Sequence, residues 1–269
     1  MPEGHTIHRI ARDHTKLIVG RRLRVSSPQG RFAADAARVD GATLTGITAH
    51  GKHLFHHWST GEIGHVHLGL FGKFRVHRTA EPPEPRGAVR MRVTTDDDGE
   101  PVTIDLAGPT ACSVGPPDDR DAIVARLGPD PLRADADPDV AVHNMARSRR
   151  AMGALLLDQS VLAGVGNVYR AEALFVHGIH PRRPGTACSD HELRMLWTTV
   201  RDMLRAGVRS DRIVTVARDE LDLPRGARIP RREATYVYKR ERCLRCATPI
   251  VAIQVANRTC YHCPTCQPT

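Results

Sequence analysis

Apolar residues at helical spacing open the chain: Ile7, Ile10, Leu17 and Ile18 fall near one face of a helix predicted over residues 3–19. From Leu23 to Ile104 the pattern shortens to apolar runs, Leu44–Ile47, Leu54–Trp58, Phe71–Val76 and Val89–Val93, broken by Gly, Pro and Asp. That rhythm predicts an antiparallel sandwich or barrel. Two polar loops, Glu81–Pro85 and Asp96–Glu100, interrupt it. The texture changes near Asp121, and the acidic, Pro-containing stretch Asp135–Asp139 reads as a connector. Helical periodicity then returns through Met152–Leu157, Val168–Val176 and Asp190–Ala206, before an Arg-rich, apolar-poor stretch over 207–242 that reads as loop. The predicted class is α+β: an N-terminal helix with a two-layered antiparallel β-sandwich over 1–122, a linker over 123–145, a helical domain over 146–238, and a cysteine-rich β-hairpin unit over 239–269.

Composition narrows the partners. The 269 residues carry a formal charge of +9, and 41% are apolar, enough for a buried core, although aromatics at 4% leave aliphatic packing to build it. Lysine occurs only at Lys16, Lys52, Lys73 and Lys239, so the positive charge is mostly arginine. A basic chain is biased towards nucleic acid, and a compositional drift towards Arg explains the same charge equally well. No run approaches the ~20 apolar residues that span a bilayer, and the start, Met-Pro-Glu-Gly-His, has no secretory pattern. A cytoplasmic protein with reduced thiols is expected, nucleoid-associated if prokaryotic. The sequon Asn257-Arg258-Thr259 is then coincidental.

Five of the seven cysteines lie in the last unit, where Cys243-Leu-Arg-Cys246 and Cys263-Pro-Thr-Cys266 enclose a 16-residue spacer. Four thiolates at that spacing suit one structural zinc ion. The metal would supply folding energy to a segment with almost no core. Cys260 is a competing fourth ligand, but the symmetrical knuckles favour Cys243, Cys246, Cys263 and Cys266. The β-prone spacer, with turn chemistry at Ala256–Thr259, puts Arg258 at an exposed hairpin tip, where it can bind phosphate or simply be solvated.

Initiator methionine is normally removed before proline, which would expose the secondary amine of Pro2. An α-amine titrates near ~7.7–8.0, so part of it is nucleophilic at neutral pH. Such an amine can attack a sugar aldehyde carbon and form an iminium. Glu3 stands beside it as a candidate proton carrier. Taken alone this dipeptide is common and uninformative.

Met-Pro-Glu-Gly at the start, Gly-Val-Gly-Asn-Val-Tyr-Arg-Ala-Glu at 164–172, and the terminal pair of CxxC knuckles occur in order. Together they resemble the formamidopyrimidine-DNA glycosylase/endonuclease VIII family over essentially the whole chain. The resemblance implies a bifunctional DNA glycosylase/AP lyase of base excision repair. Its catalytic residues would be Pro2 as Schiff-base nucleophile, Glu3 as acid/base, Lys52 as a phosphate-binding aid to elimination, and Arg258 for the second elimination. Its DNA contacts would be His67, Arg126, Asn167 and Arg258 on the backbone and Leu70 as the wedge filling the hole left by an everted base, with Phe71 the next candidate. Residues 151–178 resemble the family's helix–two-turn–helix, with Asn167 as the cap of the helix 168–176 and a phosphate site there. One structural zinc, no catalytic metal and a monomer bound to DNA with oxidised bases or abasic sites are expected.

Residue by residue, blander readings stay open: Lys52 as a solvated hairpin lysine, Leu68 and Leu70 as strand core, and residues 151–178 as an ordinary Gly-rich helix hairpin. The short Arg-rich region 218–238 lacks a recognisable lesion-capping loop, which tilts the expectation towards oxidised pyrimidines. Gly69-Leu70-Phe71 departs from the family's usual wedge, leaving the opposite base open. The rival function is a catalytically silent damaged-DNA-binding zinc-ribbon protein of the same fold.

Overall fold

The computed structural model describes residues 2–224 and 226–269, which form two compact units dividing at Arg126/Leu127. In the first unit, helix α1 (Gly4–Ile18) buries Ile7, Ala11, His14 and Ile18 on one face. It packs on β2 (Leu44–His50) and β3 (His53–Trp58), which continue through β4 (Ile63–His67) to β8 (Ala111–Gly115) in one antiparallel sheet. A second antiparallel sheet runs β1 (Leu23–Ser26), β6 (Val89–Thr95), β7 (Thr103–Ala107), β5 (Lys73–His77). Short helices α2 (Ala33–Val39) and α3 (Pro117–Val124) complete the unit. Leu23, Val25, Leu44, Leu54, Val66, Met91, Ile104 and Leu106 form one core between the layers, as alternation along half-buried strands requires.

The apolar run Phe71–Val76 is not all strand: β5 begins at Lys73, and Phe71 lies in the preceding turn with 85% of its surface exposed.

The second unit contains α4 (Pro138–Ala146), α5 (Met152–Leu155), α6 (Asn167–Val176), α7 (Asp190–Ser210) and the hairpin β9 (Val251–Val255), β10 (Arg258–His262). The segment expected to be a connector carries α4, because Asp137 caps it, accepting from the Asp139 amide at 2.8 Å, and Pro138 starts it. Its Ala141, Val142 and Met145 join the helical core with Leu155, Leu174, Leu196 and Val200. Helix α7 outlasts the periodic run because a capping box of Ser189 and Glu192 fixes its start and Asp211, at φ 57°, ends it.

Helix α6 is apolar on nearly every side yet contains two fully buried charges, Arg170 and Glu172. Glu172 accepts from the Thr215 hydroxyl and from the amides of Tyr236 (2.6 Å), Val237 (3.0 Å) and Tyr238 (2.8 Å). Burial raises its pKa, and these hydrogen bonds oppose the rise. They tie the otherwise irregular segment beyond α7 to the helix. Glu172→Gln turns one acceptor oxygen into a donor facing donors, leaving buried N–H or O–H groups unmatched. Thermal and denaturant unfolding should show a loss of about 2–4 kcal/mol; a change within error would mean that this carboxylate does not hold the segment.

Candidate functional site

In the first unit Lys52, His67 and Arg126 lie about the end of the β2–β3–β4 sheet where His53 pairs with His50 and His67. Glu3 is fully buried and precedes α1 in extended conformation, its carbonyl accepting from the amides of Thr6 (2.9 Å) and Ile7 (3.4 Å). Pro2, directly before it, is partly buried. Met1 lies outside the described residues. Lys52 occupies the two-residue turn between β2 and β3, whose register pairs His50 with His53, and Gly51 at φ 55° supplies the left-handed position.

Four histidines surround that turn and extend along the strands. His53 Nδ1 is 2.9 Å from His65 Nε2, and the His53 and His67 rings lie 4.9 Å apart between centroids. Burial, with neighbouring His65 and His67, lowers His53 to about 3; burial and His67 lower His65 to about 4. His67 is lowered by burial and by Lys52. The imidazoles of His53, His65 and His67 are therefore neutral near pH 7 and offer hydrogen bonds rather than charge. Permanent positive charge comes from Lys52, which acts on His67, and Arg126, which acts on His53. Lys52, His67 and Arg126 are thus brought to one neighbourhood. Arg126 itself donates to the Ala122 carbonyl at 3.1 Å.

The Leu68–Gly72 turn separates Leu68 from Leu70. Leu68 is 2% exposed and belongs to the core, whereas Leu70 is 51% exposed beside Phe71 at the tip. The turn closes by a Gly72 amide to Leu68 carbonyl bond of 3.0 Å. Both glycines are required: a Cβ on Gly69, at φ 64°, would lie 1.8 Å from the Thr110 hydroxyl, and one on Gly72 would lie 2.3 Å from the Leu68 carbonyl.

In the second unit Gly166, not Asn167, is the N-cap of α6. Asn167 is the first helical residue, and its side chain turns towards the hairpin. Its Nδ2 donates to the Thr259 carbonyl at 2.9 Å while its Oδ1 accepts from Arg170. Arg170 also donates to the carbonyls of Gly153 (3.1 Å), Val255 (3.3 Å) and Thr259 (3.0 Å). The Asn167 side chain is therefore tied to the residue next to Arg258. The hairpin turn is Ala256-Asn257, at φ 53° and 57°, so Arg258 opens β10 with its side chain exposed.

The sulfur atoms of Cys243, Cys246, Cys263 and Cys266 all lie within 4.8 Å of one another. The nearest pairs, 3.4 to 3.9 Å apart, are too far for disulfides and match the ~3.8 Å edge of a tetrahedron with ~2.3 Å metal–sulfur bonds. These four cysteines can hold a metal ion. Cys260 is fully buried on β10 and outside the group, and burial raises its pKa.

Sequence reasoning assigned no role to the residues that fix this unit. Gln267, fully buried, accepts from the Cys263 amide (3.0 Å) and donates to the Ile179 carbonyl (2.8 Å). Arg245, between two knuckle cysteines, makes a bidentate pair with Glu220 and lies over the rings of Tyr236 and Phe175 at 5.0 and 5.1 Å. The one available signal was Arg170 and Glu172, two charges inside the apolar stretch Val168–Val176.

No helix among the described residues is long and apolar enough to cross a membrane. Residues 1–110 match the formamidopyrimidine-DNA glycosylase N-terminal domain, and residues 127–219 match the formamidopyrimidine-DNA glycosylase H2TH domain. Over 274 residues the chain is 45% identical to endonuclease 8 1 of Mycobacterium tuberculosis (strain ATCC 25618 / H37Rv), covering 99% of this chain and 100% of that protein. It is 31% identical over 282 residues to the formamidopyrimidine-DNA glycosylase of Geobacillus kaustophilus (strain HTA426), covering 99% and 100%. The crystal structure of the MutM (Fpg) protein from Thermus thermophilus matches with a TM-score of 0.77 and 29% identity, covering 99% of this chain and 98% of that one. With both domain models in order and relatives aligned end to end, the chain belongs to the formamidopyrimidine-DNA glycosylase/endonuclease VIII family.

Proposed function

We propose that this protein is a bifunctional DNA glycosylase/AP lyase of base excision repair that removes oxidised bases, pyrimidines in preference. The observation that carries the reading is the start of α1, where a fully buried carboxylate, Glu3, directly follows the partly buried Pro2. After loss of Met1, the Pro2 nitrogen attacks C1′ of the damaged nucleotide. The C1′–base bond breaks, the base leaves with a proton supplied by Glu3, and the opened sugar carries a Pro2 iminium at C1′. The iminium acidifies C2′; loss of that proton expels the 3′ phosphate, and a second elimination expels the 5′ phosphate. Hydrolysis of the remaining imine returns the amine.

Lys52 and His67 hold phosphate beside the lesion, Arg126 adds charge there, and Arg258 and Asn167 grip phosphate from the second unit. Leu70 fills the vacated stack, with Phe71 beside it. The preference for oxidised pyrimidines rests on the higher identity to an endonuclease 8 than to a formamidopyrimidine-DNA glycosylase, 45% against 31%. The metal of the four-cysteine site is zinc: four thiolates in a closed tetrahedral set favour a structural zinc ion with no open position for chemistry. The protein acts as a monomer.

Borohydride trapping on abasic-site DNA tests the chemistry. Protein with a free Pro2 should give a covalent adduct and a gap with phosphate at both ends, and protein verified to retain Met1 should give no adduct. Trapping by the Met1-bearing form, or none by either, defeats the reading; a purely binding protein gives none.

Metal analysis should find one zinc per chain. Cys243→Ser and Cys263→Ser should lose it and weaken DNA binding, whereas Cys260→Ser should keep it. Retention by Cys263→Ser with loss by Cys260→Ser would reverse the ligand assignment.

Positioning and extrusion also separate. Arg258→Ala should lower the log–log salt slope of binding by about one, the value for one phosphate contact. Leu70→Ala should leave the slope unchanged but slow excision of a paired lesion far more than cleavage of a preformed abasic site, where no base remains to be extruded. Equal loss of both activities would return Leu70 to a packing role.

A further inference from the structure

The Leu68–Gly72 turn joins β4 to β5, and these strands belong to different sheets. On the β4 side lie Lys52 and His67. On the β5 side lies an open groove of about 300 Å³ bordered by Phe71, Lys73, Arg75 and Arg86, with small residues such as Ala88 beneath. No carboxylate lines it. Lys73 and Arg75 are two residues apart on β5 and so share a face; both are exposed, as is Arg86. The one acidic residue paired with this strand at Arg75 is Asp105, and it is already engaged. Arg92 donates to its two oxygens at 2.7 and 2.8 Å, and His77 lies 3.3 Å away. Among the described residues, Lys73, Arg75 and Arg86 form no ion pair.

Three mutually repelling cations around an opening, without a counter-charge, are suited to a polyanion. An almost fully exposed phenylalanine at the rim adds a face on which a base can stack. The groove is of a size for a single nucleotide, at the low end of the ~300–1,000 Å³ common for ligand clefts. We infer that this groove binds the DNA strand opposite the lesion, its phosphates on Lys73, Arg75 and Arg86 and the base facing the lesion against Phe71.

The strand assignment rests on the proposed function. If Leu70 enters the stack from the turn and Lys52 and His67 hold the lesion strand, a cationic groove on the other sheet lies across the wedge from them. The strand across a wedge in a duplex is the complement. The protein would then sense whether a complement is present through charges separate from those that serve the chemistry.

Binding decides this without catalysis. The variant K73Q/R75Q/R86Q and the unchanged protein are titrated with a duplex carrying a tetrahydrofuran abasic analogue, and with the lesion strand alone, over a range of salt. For the duplex, the log–log slope should fall by about 2–3, at roughly 0.9 per phosphate contact, and affinity by tenfold or more at ~0.1 M salt. On the single strand the slope should change by less than one. The charge-conserving K73R/R75K/R86K should restore duplex binding. An unchanged duplex slope overturns the inference, and so does an equal loss on duplex and single strand, which would place the lesion strand in the groove. A failure of the unchanged protein to trap on abasic-site DNA would defeat the lyase reading separately, because none of these titrations requires an iminium.

Discussion

Helix α6 carries two buried charges of opposite sign, and much of the second unit is arranged to satisfy them. Removing an ion from water costs several kcal/mol even after relaxation. Each charge must therefore find hydrogen-bonding partners, and the sequence provides them as backbone. Arg170 finds carbonyls at Gly153, Val255 and Thr259, and Glu172 finds amides at 236, 237 and 238. Two residues apart on a helix is a rotation of about 200°, so the two clamps act on opposite faces. One holds the cysteine hairpin and the other holds the irregular segment that precedes it. Both segments also pack apolar side chains on the helix, with Tyr236, Val237, Cys243 and Cys263 clustered about Ala171 and Phe175.

This arrangement decides what Asn167 can do. As an N-cap its side chain would have folded back on its own helix; instead it is engaged by Arg170 and by Thr259. A side-chain amide carries two N–H donors, so one remains for an anion after the bond to Thr259. Arg258 lies one residue from that carbonyl. An anion there would meet a side-chain amide held in place by Arg170 and Thr259, with Arg258 one residue away along the strand. Order in the hairpin is thus double: the cysteine set closes one end, and the buried arginine fixes the other.

The legible parts of the sequence were those where one physical cause dominates. Strand alternation around Leu44, Leu54 and Val89 reflects burial alone, and the two CxxC knuckles reflect the reach of sulfur to a common point. Both were readable from residue order. The Leu68–Phe71 stretch was not, because apolar side chains there have two causes. Leu68 is core, and Leu70 and Phe71 are exposed beyond a left-handed Gly69 that reverses the expected side of the chain. Periodicity cannot detect that reversal. Helix α4 was hidden for a related reason: its cap, Asp137, and its first residue, Pro138, are also the residues of a linker, and only packing of Val142 and Met145 on the helical core distinguishes the two. The roles of Arg170 and Glu172 depend on partners as far as 89 residues away in sequence, which no local pattern encodes.

Net charge gave only a bias towards nucleic acid, and the structure shows why the total is a poor guide. Many arginines are committed to carboxylates: Arg21 to Asp97, Arg38 to Glu62, Arg92 to Asp105, Arg183 to Glu192, Arg245 to Glu220. His53 and His65, at the end of the β2–β3–β4 sheet, are held neutral by burial and by neighbouring histidines. Among the described residues, cations without an ion pair include Arg258 at the hairpin, Arg126 beside His53, and Lys73, Arg75 and Arg86 next to the exposed Phe71. Uncompensated charge, rather than total charge, marks where a phosphate backbone can replace water and counterions with gain. By that criterion the arginines already held by carboxylates drop out, and it is the cations left without an ion pair that a phosphate backbone can use.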